Sequence, residues 1–303
     1  MFTTELENFI FIFVILIGLC LGSFYNVVIL RSLSNESIVF PPSKCPKCGN
    51  RLKPWHNIPI LSYIFLGGKC AFCKEKISLQ YPIVEFLTCF LFCGIYIKFG
   101  LNWITLFAFF WISCLIIMTV TDLKEKIADC NIAIAMGISG LIYSYINSGW
   151  VGVKDSVLGV VLGAIVIEGI ALLGHLLKKG RAMGEADTFV TGAFGAIAGW
   201  QNLCWILIYS IIISMIFILP NFWYERYKAK DSLTLLFSAL FLFAISVVII
   251  FKSSILACLF LLISGLGLVF RIIKNMKDTS KMKQLPFVPS LALGFLYFLF
   301  FVL

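Results

Sequence analysis

The sequence predicts an all-α polytopic membrane protein, a bundle of about ten transmembrane helices with one small soluble loop domain. Three observations predict it. Of the 303 residues, 61% are hydrophobic and 13% are charged, and the mean hydropathy is +1.01. So few charges cannot cover a soluble globule of this length. Runs of about 18 or more nearly uncharged residues recur, each long enough to cross a hydrocarbon core of roughly 30 Å. Lys and Arg collect in alternate loops, as they do between membrane spans. The alternating pattern of a membrane β-barrel is absent, so the spans are read as helices whose backbone groups bond within the segment.

Taken in order, the spans fall near 9–30, 82–98, 101–121, 131–147, 154–177, 187–199, 202–222, 234–251, 254–273 and 286–303. The first follows Glu5 and Glu7 rather than a basic region, and is read as a retained span, not a cleaved leader. The sixth is short and is read as tilted or partly re-entrant. Basic residues cluster at 44–76, at Lys124 and Lys126, at 178–181, at 226–230 and at 271–283, while the loops between hold at most one Lys. This alternation predicts ten crossings with both termini outside the cytosol. The net charge of +9 is therefore read as membrane topology, with the lipid bilayer as partner and no nucleic acid. The predicted divisions are 1–31, the first transmembrane helix; 32–81, a cytosolic loop domain; 82–222, the main bundle; 223–283, a helical hairpin with basic loops; and 284–303, the final helix.

Fifty residues bury little core, so the loop domain needs a staple. Cys45-Pro-Lys-Cys48 and Cys70-Ala-Phe-Cys73 supply one. Two CxxC pairs on tight turns present four thiolates to one tetrahedral ion, the pattern of a structural zinc site. A reducing cytosol disfavours disulfides, and four sulfurs leave no open position for catalysis. Gly49 and Lys74 follow the two pairs where such a turn needs them. His56, between the pairs, is read as a packing or surface residue. The remaining seven cysteines are read as small buried hydrophobes.

Ionisable groups in or beside spans are costly and require a reason. Asp122 closes the third span and Asp187 opens the sixth, both at the predicted cytosolic boundary. Two carboxylates from different helices within hydrogen-bond reach can share a proton and activate a water against a peptide carbonyl. The bland readings are a solvated Asp122 beside Lys124 or Lys126 and a helix-capping Asp187. Glu125, Asp129 and Glu185 are rival acids, and Glu168 with His175 marks a polar lane on the fifth span.

These residues resemble those of type IV prepilin peptidases, membrane aspartyl proteases that process prepilins and pseudopilins. Gly22-Ser23-Phe24-Tyr25-Asn26-Val27-Val28-Ile29-Leu30-Arg31 resembles the family's opening motif. The tetrad loop, with Asn57-Ile58-Pro59 between the pairs and Tyr81-Pro82-Ile83-Val84-Glu85 at its exit, resembles the family's zinc-binding loop. Asp122 and Asp187 match the two catalytic aspartates, and Leu285–Gly294 resembles the closing stretch. The GxGDxKL motif departs from the pattern. It reads Gly184-Glu185-Ala186-Asp187-Thr188-Phe189-Val190, with Ala for the second Gly and Phe for the Lys. After Asp122 an Ala128-Asp129 stands where the family has Pro before the acid, one residue early. The family commonly has eight spans, so 234–273 is an added pair.

The resemblance implies leader cleavage by Asp122 and Asp187 at the cytosolic face of a bacterial inner membrane, with Gly184 and Ala186 supporting. It implies structural zinc on Cys45, Cys48, Cys70 and Cys73. It also implies N-methylation of the new terminus from S-adenosylmethionine, with Asn26, Arg31, Asn57 and Glu85 either in that second activity or anchoring the loop. The competing classes are a non-catalytic pilus-assembly scaffold and a zinc-stapled transporter; the latter predicts acids near the bilayer midplane rather than at its edge.

Overall fold

The computed structural model describes residues 2–34, 36–40, 42–178, 184–228, 231–236, 238–240, 243 and 287–303. Among them the chain is all-helical, with no strand beyond two isolated bridges in the loop domain. The helices are α1 (Phe2–Ser34), α2 (Leu61–Phe65), α3 (Gln80–Phe99), α4 (Trp103–Glu125), α5 (Cys130–Lys178), α6 (Glu185–Lys228) and α7 (Val288–Tyr297), the last running into a π turn, Phe298–Val302. Five of them are long and apolar enough to cross a membrane. The chain is a polytopic helical membrane protein.

Two glycines divide the longest helices. Gly149 (φ 60°, ψ −149°) breaks α5 and Gly199 (φ 74°, ψ 169°) breaks α6, each with a backbone that side chains with a Cβ rarely adopt. The breaks fall between the expected spans 131–147 and 154–177, and at the last residue of 187–199, just before 202–222. The expected spans 254–273 and most of 234–251 lie outside the described residues, as do Cys258 and the basic stretch 271–283.

The chain forms two compact units, 1–211 with 286–303, and 212–285. In the second, Asp231 caps a helical stretch through the Thr234 N–H (3.2 Å). In the first, α1 and α3 pair closely. Gly18 and Gly22 lie one turn apart on α1, and a Cβ on either would stand 2.7 Å from the α3 backbone, at Cys89 and Glu85. Small residues four apart let backbones approach this closely in a membrane, where packing rather than hydrophobicity drives association. α4 packs on α1, α3, α5 and α7. Its Trp111 is fully buried, donates Nε1–H to Ser139 Oγ (3.0 Å) and meets Phe295 of α7 edge-on. Phe194 of α6 stacks on Phe295 with centroids 4.6 Å apart. Large apolar side chains such as Phe86 and Phe90 of α3 face outward, as they must where the solvent is lipid. Cys20 and Cys204 are likewise exposed on apolar helices, so burial holds for Cys114 but not for every scattered cysteine.

Candidate active site

Asp122 sits one turn before the end of α4. The helix stops because Lys126 takes a left-handed conformation (φ 58°, ψ 35°) and donates its N–H back to the Asp122 carbonyl (2.9 Å). The Asp122 side chain is 6% exposed, and its Oδ2 accepts the backbone N–H of Val288 (3.1 Å). Val288 is the first residue of α7, whose unsatisfied N–H groups favour a carboxylate there.

Asp187 lies in the first turn of α6 and is 8% exposed. Its Oδ2 accepts the Gly184 N–H (3.1 Å), so the side chain caps the start of its own helix. Thr191 donates its hydroxyl to the Asp187 carbonyl (2.8 Å). Small residues press this half-helix onto α5. Gly195 meets Gly159 backbone to backbone, and a Cβ on Gly163 would stand 2.9 Å from the Thr191 carbonyl oxygen. Ala186 packs against the core, so its methyl group is accommodated. A Cβ on Gly184 would meet Asp187 Oδ2 at 3.4 Å, in ordinary contact.

The two carboxylates therefore come from different helices, are both buried, and lie within electrostatic range of each other. Each has one oxygen tied to a backbone N–H, Val288 for one and Gly184 for the other. The rival acids stand differently. Glu125 and Glu185 are exposed. Asp129 caps α5 through the Asn131 N–H (2.8 Å). Glu168 accepts the Thr188 hydroxyl (2.9 Å), linking α5 to α6 beside Asp187. The His175 side chain lies outside the described residues.

The loop domain gathers the four cysteines. The sulfurs of Cys45, Cys48, Cys70 and Cys73 all lie within 4.8 Å of one another, with Cys45 and Cys73 at 3.9 Å. A tetrahedral ion with zinc–sulfur bonds of about 2.3 Å needs sulfurs roughly 3.8 Å apart, so the set fits zinc. Two matching knuckles build it. Gly49 N–H bonds the Cys45 carbonyl (2.9 Å), and Lys74 N–H bonds the Cys70 carbonyl (3.1 Å). Both fourth-position residues have positive φ, 71° at Gly49 and 59° at Lys74. Backbone N–H groups of Cys73 and Phe72 point at the Cys70 sulfur and pull its thiol down to about 7. His56 packs edge-on between Trp55 and Phe72, its buried Nδ1 without a partner, and adds no fifth ligand to the four-sulfur group.

Three junction residues hold the loop. Asn26 is fully buried on α1; its Nδ2 donates to the Tyr81 carbonyl (3.2 Å) and its Oδ1 accepts from Gln80 Nε2 (3.1 Å). Arg31 donates to the carbonyls of Ser37 and Ile38 (2.8 and 2.9 Å). Glu85, buried on α3, accepts the Ile60 N–H (2.7 Å). Asn57 is exposed in the short 3₁₀ turn Pro54–Asn57. Sequence reasoning missed Val288; the only signal was the Pro289 that marks a helix start one residue later.

Two carboxylates buried at the ends of different apolar helices, in a chain that also gathers four cysteines able to hold a metal ion, mark a class of polytopic membrane protein. The bacterial peptidase A24 N-terminal domain matches residues 16–99, and the type IV leader peptidase family matches residues 109–219. The chain belongs to the type IV leader peptidase family. It is 31% identical over 199 residues to the prepilin leader peptidase/N-methyltransferase of Myxococcus xanthus, covering 66% of this chain and 59% of that one. It is 33% identical over 224 residues to that of Neisseria gonorrhoeae, covering 66% of this chain and 78% of that one. For that of Pseudomonas aeruginosa the identity is 29% over 225 residues, covering 67% and 77%. No solved structure matches.

Proposed function

We propose that the protein is an aspartyl endopeptidase of the bacterial inner membrane that removes the short basic leader of type IV prepilins or pseudopilins at the cytosolic face. Asp122 and Asp187 are its acid–base pair. The observation that carries this reading is their joint burial within electrostatic range, each with one oxygen held by a backbone N–H. Two such carboxyls share one proton more readily than both ionise. The ionised one takes a proton from a water bridging the pair as that water attacks the scissile carbonyl, while the other protonates the carbonyl oxygen; the first then passes the proton it took to the departing amine as the C–N bond breaks, and the second takes back a proton from the gem-diol hydroxyl as the new carboxyl group forms. The tied oxygens hold both carboxyls in place, which leaves the second oxygen of each for the attacking water in this reading. A prepilin helix lying in the bilayer brings its scissile bond to the depth of the pair.

Zinc on Cys45, Cys48, Cys70 and Cys73 has a structural role in this reading. It closes the loop that Asn26, Arg31 and Glu85 tie to α1 and α3, and no hydrolytic step passes through it. N-methylation of the new terminus follows from the names of the relatives, with S-adenosylmethionine as the methyl donor. A cavity of about 590 Å³ runs between α1 and α4, but its walls are nearly all apolar, with Ser32, Ser113 and Asp129 among few polar members. That lining does not fit a zwitterionic sulfonium donor, and no step is assigned to it.

The test is to incubate membranes carrying the protein with a prepilin and to weigh the product. A product shortened at the leader, and one methyl heavier when the methyl donor is added, supports both activities. An intact prepilin would contradict the proposal.

A further inference from the structure

Residues 54–68 contain no Lys, Arg, Asp or Glu, although Lys53 and Lys69 flank them directly. Within this stretch Trp55, Ile58, Leu61, Ile64 and Phe65 all point outward, Phe65 being 83% and Ile64 65% exposed. So many large exposed apolar groups in one short segment of a soluble domain require a cover.

Glu85 shows where that cover lies. The Ile60 N–H, directly before α2, is bonded to the Glu85 carboxylate (2.7 Å). Glu85 is five residues into α3, so the contact lies roughly 8 Å from the helix end. α3 is 20 residues long, roughly 30 Å, and so matches the hydrocarbon core with little to spare. Its own outward apolar face includes Ile83 and Phe86, with Leu79 exposed just before its first residue. The start of α2 is therefore held beside the first turns of a membrane helix, at the depth where that helix already faces lipid. Lys53 sits over the Trp55 ring, 5.2 Å from its centroid, as expected where aromatic rings and snorkelling lysines meet headgroups.

We propose that residues 55–65 of the loop domain are an interfacial membrane anchor, with Leu61, Ile64 and Phe65 of α2 dipping into the bilayer between headgroups and acyl chains. An element lying in the interface typically buries its apolar face by about 5–10 Å, which matches the depth set by Glu85. The anchor is independent of the proposed peptide hydrolysis.

Photo-crosslinking of the full chain in nanodiscs tests it. Phe65→p-benzoylphenylalanine, Phe86→p-benzoylphenylalanine as a lipid-facing reference on α3, and Lys47→p-benzoylphenylalanine on the exposed first knuckle are irradiated and analysed by intact mass. The proposal expects lipid adducts at 65 and 86 and at least tenfold fewer at 47. Adducts at 65 to a second copy or to another protein, no adduct at 65 while 86 labels, or equal lipid labelling at 47 and 65 would each overturn it.

Discussion

Val288 and Asp122, 166 residues apart, are joined by one hydrogen bond: the N–H of the first residue of α7 donates to Asp122 Oδ2 at 3.1 Å. The end of the chain thereby fixes a carboxylate that the middle of the chain supplies. Proline is well suited to a first helical position but has no N–H to donate. Val288→Pro should therefore keep α7 and lose the bond. A hydrogen bond to a charged group contributes about 1.5–3 kcal/mol, so prepilin cleavage should fall roughly 10- to 100-fold. Val288→Leu keeps the N–H and should cleave like the parent. Cleavage rates of the two variants at equal membrane abundance check this.

Lys74 and Gly49 occupy equivalent places in the two knuckles, both at positive φ. Glycine takes that conformation without strain, whereas a side chain costs about 1 kcal/mol. Lys74→Gly should stabilise the loop by about that amount, and Gly49→Val should weaken it by more. Resistance of residues 36–79 to limited proteolysis should rank Lys74→Gly above the parent and Gly49→Val below it.

The four-sulfur cluster should bind one metal ion per chain. Cys45→Ser should lower bound zinc well below stoichiometric, measured by elemental analysis of the purified protein. It should also speed proteolysis of the loop, because metal binding and folding of such a site are coupled. Unchanged zinc content would count against the tetrad.

Gly22 faces the Glu85 backbone, and a Cβ there would stand 2.7 Å from Glu85 Cα. Gly22→Leu should force α1 and α3 apart and destabilise the protein by roughly 1–3 kcal/mol, as overpacking does. Thermal unfolding in detergent should show a lower midpoint. The Ile60 tie should loosen too, because Glu85 moves with α3.

Much of this architecture was legible in the sequence. Length and hydropathy place α1, α3 and α4 because a membrane helix needs an uninterrupted apolar run, and the sequence displays such runs directly. The cysteine tetrad was legible because metal chemistry fixes both residue type and spacing. Gly149 and Gly199 lie where the expected spans part, so the two long helices still divide as the hydropathy suggests. The Val288–Asp122 bond was not legible: a backbone donor has no side-chain signature, and its partner is 166 residues away. The Glu85–Ile60 tie was half legible. A carboxylate at a membrane edge asks for a partner, but nothing in the sequence says the partner is a main-chain N–H. Gly159 and Gly195 pack backbone to backbone, yet no spacing rule links two residues on different helices.

In the proposed function Asp122 and Asp187 act together on one peptide bond. Cleavage of a purified prepilin by the protein and by Asp122→Asn and Asp187→Asn, each reconstituted in lipid at equal zinc content, tests this. Loss of either partner of an acid–base pair should slow cleavage by about a thousandfold or more, with the double variant scarcely slower than either single one. If either single variant cleaves at the parent's rate, the two aspartates are not the catalytic pair.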